Sequence, residues 1–208
     1  MYYTTFKQLR NMGACQNRYQ FLAKQLGGIK KYGKCTPISL LQILDINGLD
    51  DCLLSLRTVE ATPEFERFSR LLACDFAEHV LPLFESKFPG DLRPRHAIET
   101  SRRYANGDAT DDELADARAA VADARAAAKA EAMKAEAAKA WEQAWEAARA
   151  ARETAWRGAW TQTAAVADAA WVAIAAVAKA DSFMDTFVAG EREQQWQEQH
   201  LREKLETE

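Results

Sequence analysis

Apolar residues recur at three- and four-residue steps along the chain, and that period predicts helices. In the first sixty residues the runs are short. Phe6, Leu9 and Met12 share one face before Gly13 interrupts it. Tyr19, Leu22 and Leu26 make the next face, stopped by Gly27-Gly28 in the way helices commonly end. Thr36-Pro37 reads as an N-cap followed by a first-turn proline, opening a helix through Leu40, Leu41 and Leu44. Asn47-Gly48 then turns the chain into Leu49, Leu53, Leu54 and Leu56. No stretch reads convincingly as a strand.

Beyond residue 60 the periodic runs lengthen. Thr62-Pro63 opens an amphipathic helix carrying Phe65, Phe68, Leu71, Leu72, Phe76, Val80 and Leu83. Pro82 lies inside it, which predicts a kinked or underwound turn near Glu78, and Pro89-Gly90 ends it. A shorter helix opens at Arg93-Pro94-Arg95, runs to about Ala105 and is closed by Asn106-Gly107. Thr110 to Glu113 has the form of a capping box with acidic residues in the first helical turn. A last helix is expected from about Phe183 to Leu205, after a capping signal at Ser182 to Asp185.

Between Glu113 and Ala180 about half the residues are Ala, the strongest helix former, and the tract has no Pro and a single Gly, Gly158. It carries five indoles. Trp141, Trp156 and Trp171 are fifteen residues apart, and Trp145 and Trp160 repeat the same step. At about 100° per residue, fifteen residues rotate a face by only about 60°, so the five side chains form one slowly drifting stripe. Either the stripe packs across an antiparallel, Ala-rich neighbour, or part of it is an exposed anchor for a partner or a dimer mate. One straight helix over the tract would be about 100 Å long. A turn is therefore expected, near Ala128 to Ala132 or near Gly158. The fold class that follows is all-α: a small basic N-terminal lobe of short helices, residues 1–60, then a bundle or hairpin of long Ala-rich helices, residues 61–208.

Net charge is a mild -4, but its distribution is uneven. Residues 1 to 34 hold Lys7, Arg10, Arg18, Lys24, Lys30, Lys31 and Lys34 with no Asp or Glu, whereas Glu dominates from Glu191 onward. The two ends either attract one another or leave a basic patch for an acidic partner or nucleic acid. Cys15, Cys35, Cys52 and Cys74 are widely spaced and are expected to be reduced, mostly buried thiols. His79, His96 and His200 show no zinc spacing with them. With no secretory signal and no apolar run long enough for a bilayer, a cytoplasmic protein without membrane, metal or cofactor is expected.

Cys74 to Glu85, with its Val-Leu-Pro-Leu-Phe-Glu ending, is followed by Pro89 to Asp108 with Asp-Leu-Arg-Pro-Arg and Ala-Ile-Glu. This stretch resembles the core signature of the Imm-5-like immunity proteins of bacterial toxin loci and phage or prophage genes. Leu9 to Cys15 and Phe21 resemble a module often found ahead of that core. The resemblance implies an all-helical, non-catalytic protein that binds and neutralises another protein: a toxin or, if phage-borne, a component of a host defence system such as CRISPR. The Trp content and the Glu-rich end depart from the family pattern.

Arg93 and Arg95 follow a helix bearing Asp75, Glu78 and Glu85, so paired contacts are expected to lock the corner between two helices. Alternatively Arg93, Arg95, Arg102 and Arg103 form a cluster that receives phosphate or an acidic partner surface. Together with Trp141, Trp145, Trp156, Trp160 and Trp171 they are the candidate partner-binding residues. His79 and His96 have no evident nucleophile or metal partner, and no enzyme activity is expected.

Overall fold

In the computed structural model of the chain, residues 1–134 and 183–207 are described. They are predominantly helical and fall into two compact units, Met1–Ala61 with Gln194–Glu208, and Thr62–Glu193.

The first unit begins with β1 (Tyr3–Thr4), paired antiparallel with β2 (Ile38–Ser39) so that Tyr3 faces Ser39 and Thr4 faces Ile38. This two-stranded sheet departs from the strand-free expectation. Each strand is two residues long, too short for any alternation to show, and each finds its partner far along the chain. Helices α1 (Phe6–Asn11), α2 (Gln16–Gln25), α3 (Ile29–Tyr32), α4 (Leu40–Asn47) and α5 (Leu49–Ser55) follow, with a 3-10 turn at Leu56–Thr58.

The α4 cap is Ser39, not Thr36. Its hydroxyl accepts from Gln42 N at 3.1 Å, and Gln42 Oε1 accepts from Ser39 N at 3.0 Å, completing a capping box. Thr36 is engaged elsewhere: its hydroxyl donates to Tyr32 O at 2.6 Å, closing the loop after α3. Gly33 in that loop has φ +102°, and a Cβ there would stand 2.5 Å from Thr36 Oγ1, so only glycine fits. Phe6 is fully buried and meets Tyr19 and Tyr32 edge-on at 5.4 and 5.8 Å, joining α1 to α2 and α3. Ile38, Leu40, Ile43, Leu44 and Leu56 are also buried. The last helix, α9 (Phe183–Thr207), supplies the C-terminal part of this unit. There Leu201 and Leu205, one turn apart, are buried, and Arg202 Nη1 lies 2.5 Å from Asp45 Oδ1.

The second unit holds α6 (Pro63–Lys87), α7 (Arg93–Ala105) and α8 (Asp111–Lys134), with α7 packed against both others. Each start has an identifiable cause. The Thr62 hydroxyl accepts from Phe65 N at 3.2 Å. For α8, Thr110 Oγ1 accepts from Glu113 N at 3.2 Å while Glu113 Oε2 accepts from Thr110 N at 2.8 Å. Small buried residues on α6 and α7 (Ala73, Ala77, Ala97, Ser101) match large ones such as Phe76, Leu81, Phe84 and Ile98. Helix α8 runs through Ala128 to Ala132 without interruption to Lys134, because nothing in that Ala-Lys-Glu sequence breaks a helix. The turn expected there is absent. Gly158, the other expected turn, and the Trp stripe lie outside the described residues.

Candidate partner-binding surface

The charged corner of the second unit is built from two helices whose ion-pairing residues share a seven-residue spacing. Glu78 and Glu85 are two turns apart on α6, and Arg95 and Arg102 are two turns apart on α7. In an antiparallel pair this spacing matches rung to rung. Arg95 grips Glu85 as a fork, Nε to Oε1 and Nη2 to Oε2, each at 2.7 Å. Arg102 reaches Asp75 Oδ1 with Nη1 at 2.7 Å and Glu78 with Nη2. The Asp75 side chain is only 12% exposed, so this is the rung most withdrawn from water.

Arg93 departs from the expected lock. Its partner is Asp91, two residues earlier, bound through Nε at 2.8 Å and Nη2 at 2.5 Å. Asp91 Oδ1 also accepts from Arg93 N at 3.2 Å, substituting for the side-chain cap that Leu92 cannot give to α7. The Arg93 side chain holds the Asp91 carboxyl below its ordinary pKa, outweighing partial burial. Arg103 donates through Nη2 to Asp108 O at 2.8 Å and Glu113 Oε1 at 2.9 Å, tying α7 to the start of α8. Bonding to Thr110 N first, and to Arg103 second, lowers the Glu113 pKa. All four candidate arginines therefore sit in the second unit with their charge engaged. Asp91, Asp108 and Glu113 had not been identified as their partners, although Asp91 and Asp108 border the α7 helix in sequence.

At the opposite end of α7 an open cleft of about 780 Å³ is lined by Glu64, Arg67, Arg70, Tyr104, Asn106 and Asp111, among others. Arg67 donates through Nε and Nη2 to Asn106 Oδ1 at 3.2 and 2.9 Å. The Arg70 guanidinium lies 5.3 Å from the Tyr104 ring centre, and the Tyr104 hydroxyl donates to Asp111 Oδ1 at 2.7 Å. Sequence reasoning missed this cleft. Its residues come from three helix ends and share no motif.

His79 Nδ1 is 2.6 Å from Glu193 Oε2, His96 is exposed, and His200 stacks on Trp196 at 4.8 Å. Cys52 and Cys74 are buried, and Cys15 and Cys35 are exposed. Among the described residues no cluster of His, Cys, Asp or Glu could hold a metal ion. Trp141, Trp145, Trp156, Trp160 and Trp171 lie outside the described residues. Among the described residues, no helix is long and apolar enough to cross a membrane.

The described part of the second unit is thus a helical scaffold whose surface carries fixed, paired charges. The chain is a member of the Imm-5-like family: residues 69–204 match the family described as Imm-5 like putative immunity protein. The match takes in α7, α8, most of α6 and nearly all of α9; residues 1–68 lie outside it. No curated protein and no solved structure matches the chain.

Proposed function

We propose that this protein is an immunity protein that binds and neutralises a toxin protein, without catalysis, through the charged face of its second unit. Family membership across residues 69–204 carries this reading. The arginine rungs supply the physical support. Arg93 and Arg95 each commit Nε and Nη2 to a carboxylate and leave Nη1 uncommitted, while 40% and 41% of their side chains remain exposed. Arg103, 52% exposed, commits only Nη2. Guanidinium planes already held by intramolecular forks lose little further entropy when a partner carboxylate or carbonyl arrives. Arg102 is the anchor of the ladder, and Trp141, Trp145, Trp156, Trp160 and Trp171 remain candidate apolar contacts to the partner. A phage-borne member blocking a defence component such as CRISPR would use the same surface.

The test is co-expression with any toxin encoded beside this gene, scored by survival and by a stoichiometric complex in size-exclusion chromatography. Protection that is lost in Arg93→Glu/Arg95→Glu, with the fold intact by circular dichroism, supports the proposal. Survival unchanged by the protein, with no complex formed, overturns it. Rescue of phage from a defence system in place of rescue from a toxin would identify the defence component as the target.

A further inference from the structure

The first unit carries a concentration of uncompensated positive charge. Lys7, Arg10, Lys24, Lys30, Lys31 and Lys34 are all exposed, and among the described residues none of them makes an ion pair. By contrast Arg18 and Arg202 of the same unit, and Arg70, Arg93, Arg95, Arg102 and Arg103 of the second, each have an acidic partner. The first acidic residue in the chain is Asp45, which is taken by Arg202, and Asp51 is taken by Arg18; Asp50 and Glu60 make no ion pair with these six cations among the described residues. Among the described residues, Glu198, Glu203 and Glu206 of residues 194–207 make no ion pair with these six cations, and Arg202 of that segment pairs with Asp45.

The fold gathers most of these cations. Lys7 N donates to Lys34 O at 3.0 Å, which sets the two residues side by side. Arg10 follows Lys7 by one turn on α1, and Lys30 and Lys31 stand on α3, whose Tyr32 is pinned to Phe6 of α1. The Lys31 stem lies over Gly27, its Cδ 3.7 Å from where a Cβ would be.

Two kinds of acidic occupant fit such a face, a protein surface or a phosphate backbone, and the residue types favour the second. Five of the six cations are Lys, a residue depleted in protein–protein interfaces but effective against phosphate. Around them Asn11, Asn17, Gln20 and Gln25 are exposed, together with the apolar side chains Met1, Tyr3, Met12 and Phe21. We propose that this face of the first unit, outside the family-matched span, binds the phosphate backbone of nucleic acid without reading its sequence. The inference stands independently of the toxin-binding reading, which places its contacts on the other unit.

The experiment is fluorescence anisotropy with the full chain and a labelled DNA duplex of about 20 base pairs. Five phosphate contacts predict affinity falling about 500-fold between about 50 mM and about 200 mM salt. Lys7→Glu/Lys34→Glu, checked for an unchanged thermal midpoint, should abolish binding at the lower salt, whereas Arg118→Ala on α8 should leave it unchanged. Absence of binding at low salt, or binding indifferent to Lys7→Glu/Lys34→Glu, overturns the proposal. So does competition by polyglutamate as effective as by unlabelled DNA of equal charge, which would make the face a dock for acidic protein.

Discussion

Arg102 Nη1 lies 2.7 Å from Asp75 Oδ1, while Nη2 of the same guanidinium holds Glu78 one turn further along α6. One cation thus answers two carboxylates, and one of those is largely shielded from solvent. Removing it takes away the cation that Asp75 and Glu78 share. Arg102→Ala is therefore expected to cost on the order of 1–3 kcal/mol, a range discounted because a third of the Arg102 side chain is exposed. Arg95→Ala, which frees the more accessible Glu85, should cost about 0.2–1 kcal/mol. Urea denaturation midpoints decide the order, and equal losses for the two variants would count against the ladder described here. Arg102→Lys should fall between wild type and Arg102→Ala, since a single ammonium cannot reproduce the fork.

The four thiols should divide cleanly. Burial pushes the Cys74 thiol up to about 12 and the Cys52 thiol higher still. Cys74 Sγ is 3.9 Å from Ile98 O, and Cys52 Sγ is 3.3 Å from Leu40 O. Because the thiolate is the reactive form, native protein should modify only at Cys15 and Cys35, and denatured protein at all four. Mass spectrometry after brief alkylation at neutral pH reads this directly. Label on native Cys74 would mean that the α6–α7 interior opens readily.

How much of this was legible in the sequence depends on the range of the interaction that fixes each feature. The starts of α6 and α8 are written locally, in Thr62-Pro63 and in the Thr110–Glu113 box, and both caps form as their residues suggest. Fold class and family were legible for the same reason: the helical period is continuous and the 74–108 signature is contiguous. What escaped depends on contacts distant in sequence or on competition between nearby candidates. The β1–β2 pair joins Tyr3 to Ser39 and Thr4 to Ile38, far apart in sequence. Thr36-Pro37 is as good a cap signal as Ser39, but Ser39 wins because Thr36 bonds back to Tyr32. The partner of Arg93 was missed for the opposite reason. Asp91 is so near that the lock was sought on the preceding helix. For the candidate site, the arginines were found by charge, while the cleft around Arg67, Arg70 and Tyr104 had no sequence signal.

The C-terminal part of α9 is an integral member of the first unit. Leu201 is fully buried and Leu205 nearly so. Leu201→Ala should cost about 2–5 kcal/mol, the range for deleting a buried leucine that leaves a cavity. Lys204→Ala, on the same turn but half-buried, should cost much less. Thermal or urea unfolding followed by circular dichroism measures both. A Leu201→Ala loss under about 1 kcal/mol would show that the segment is dispensable.

Acid should loosen the second unit through Asp91 and Glu113. Both carboxyls are held below their unfolded values of 3.8 and 4.5, Asp91 chiefly by Arg93 and Glu113 chiefly by the Thr110 amide. A lowered folded pKa means that the unfolded chain binds protons first. The stabilisation is therefore complete above the unfolded values and is lost as pH falls through the folded ones. Urea midpoints should accordingly be flat from about pH 7 to about pH 5 and drop below about pH 4. Asp91→Asn removes one of the titrating groups while keeping its shape, so it should lower the midpoint modestly at neutral pH and flatten the acid limb. If wild type and Asp91→Asn lose stability in parallel between about pH 5 and about pH 3, the Asp91–Arg93 clasp is not what acid breaks.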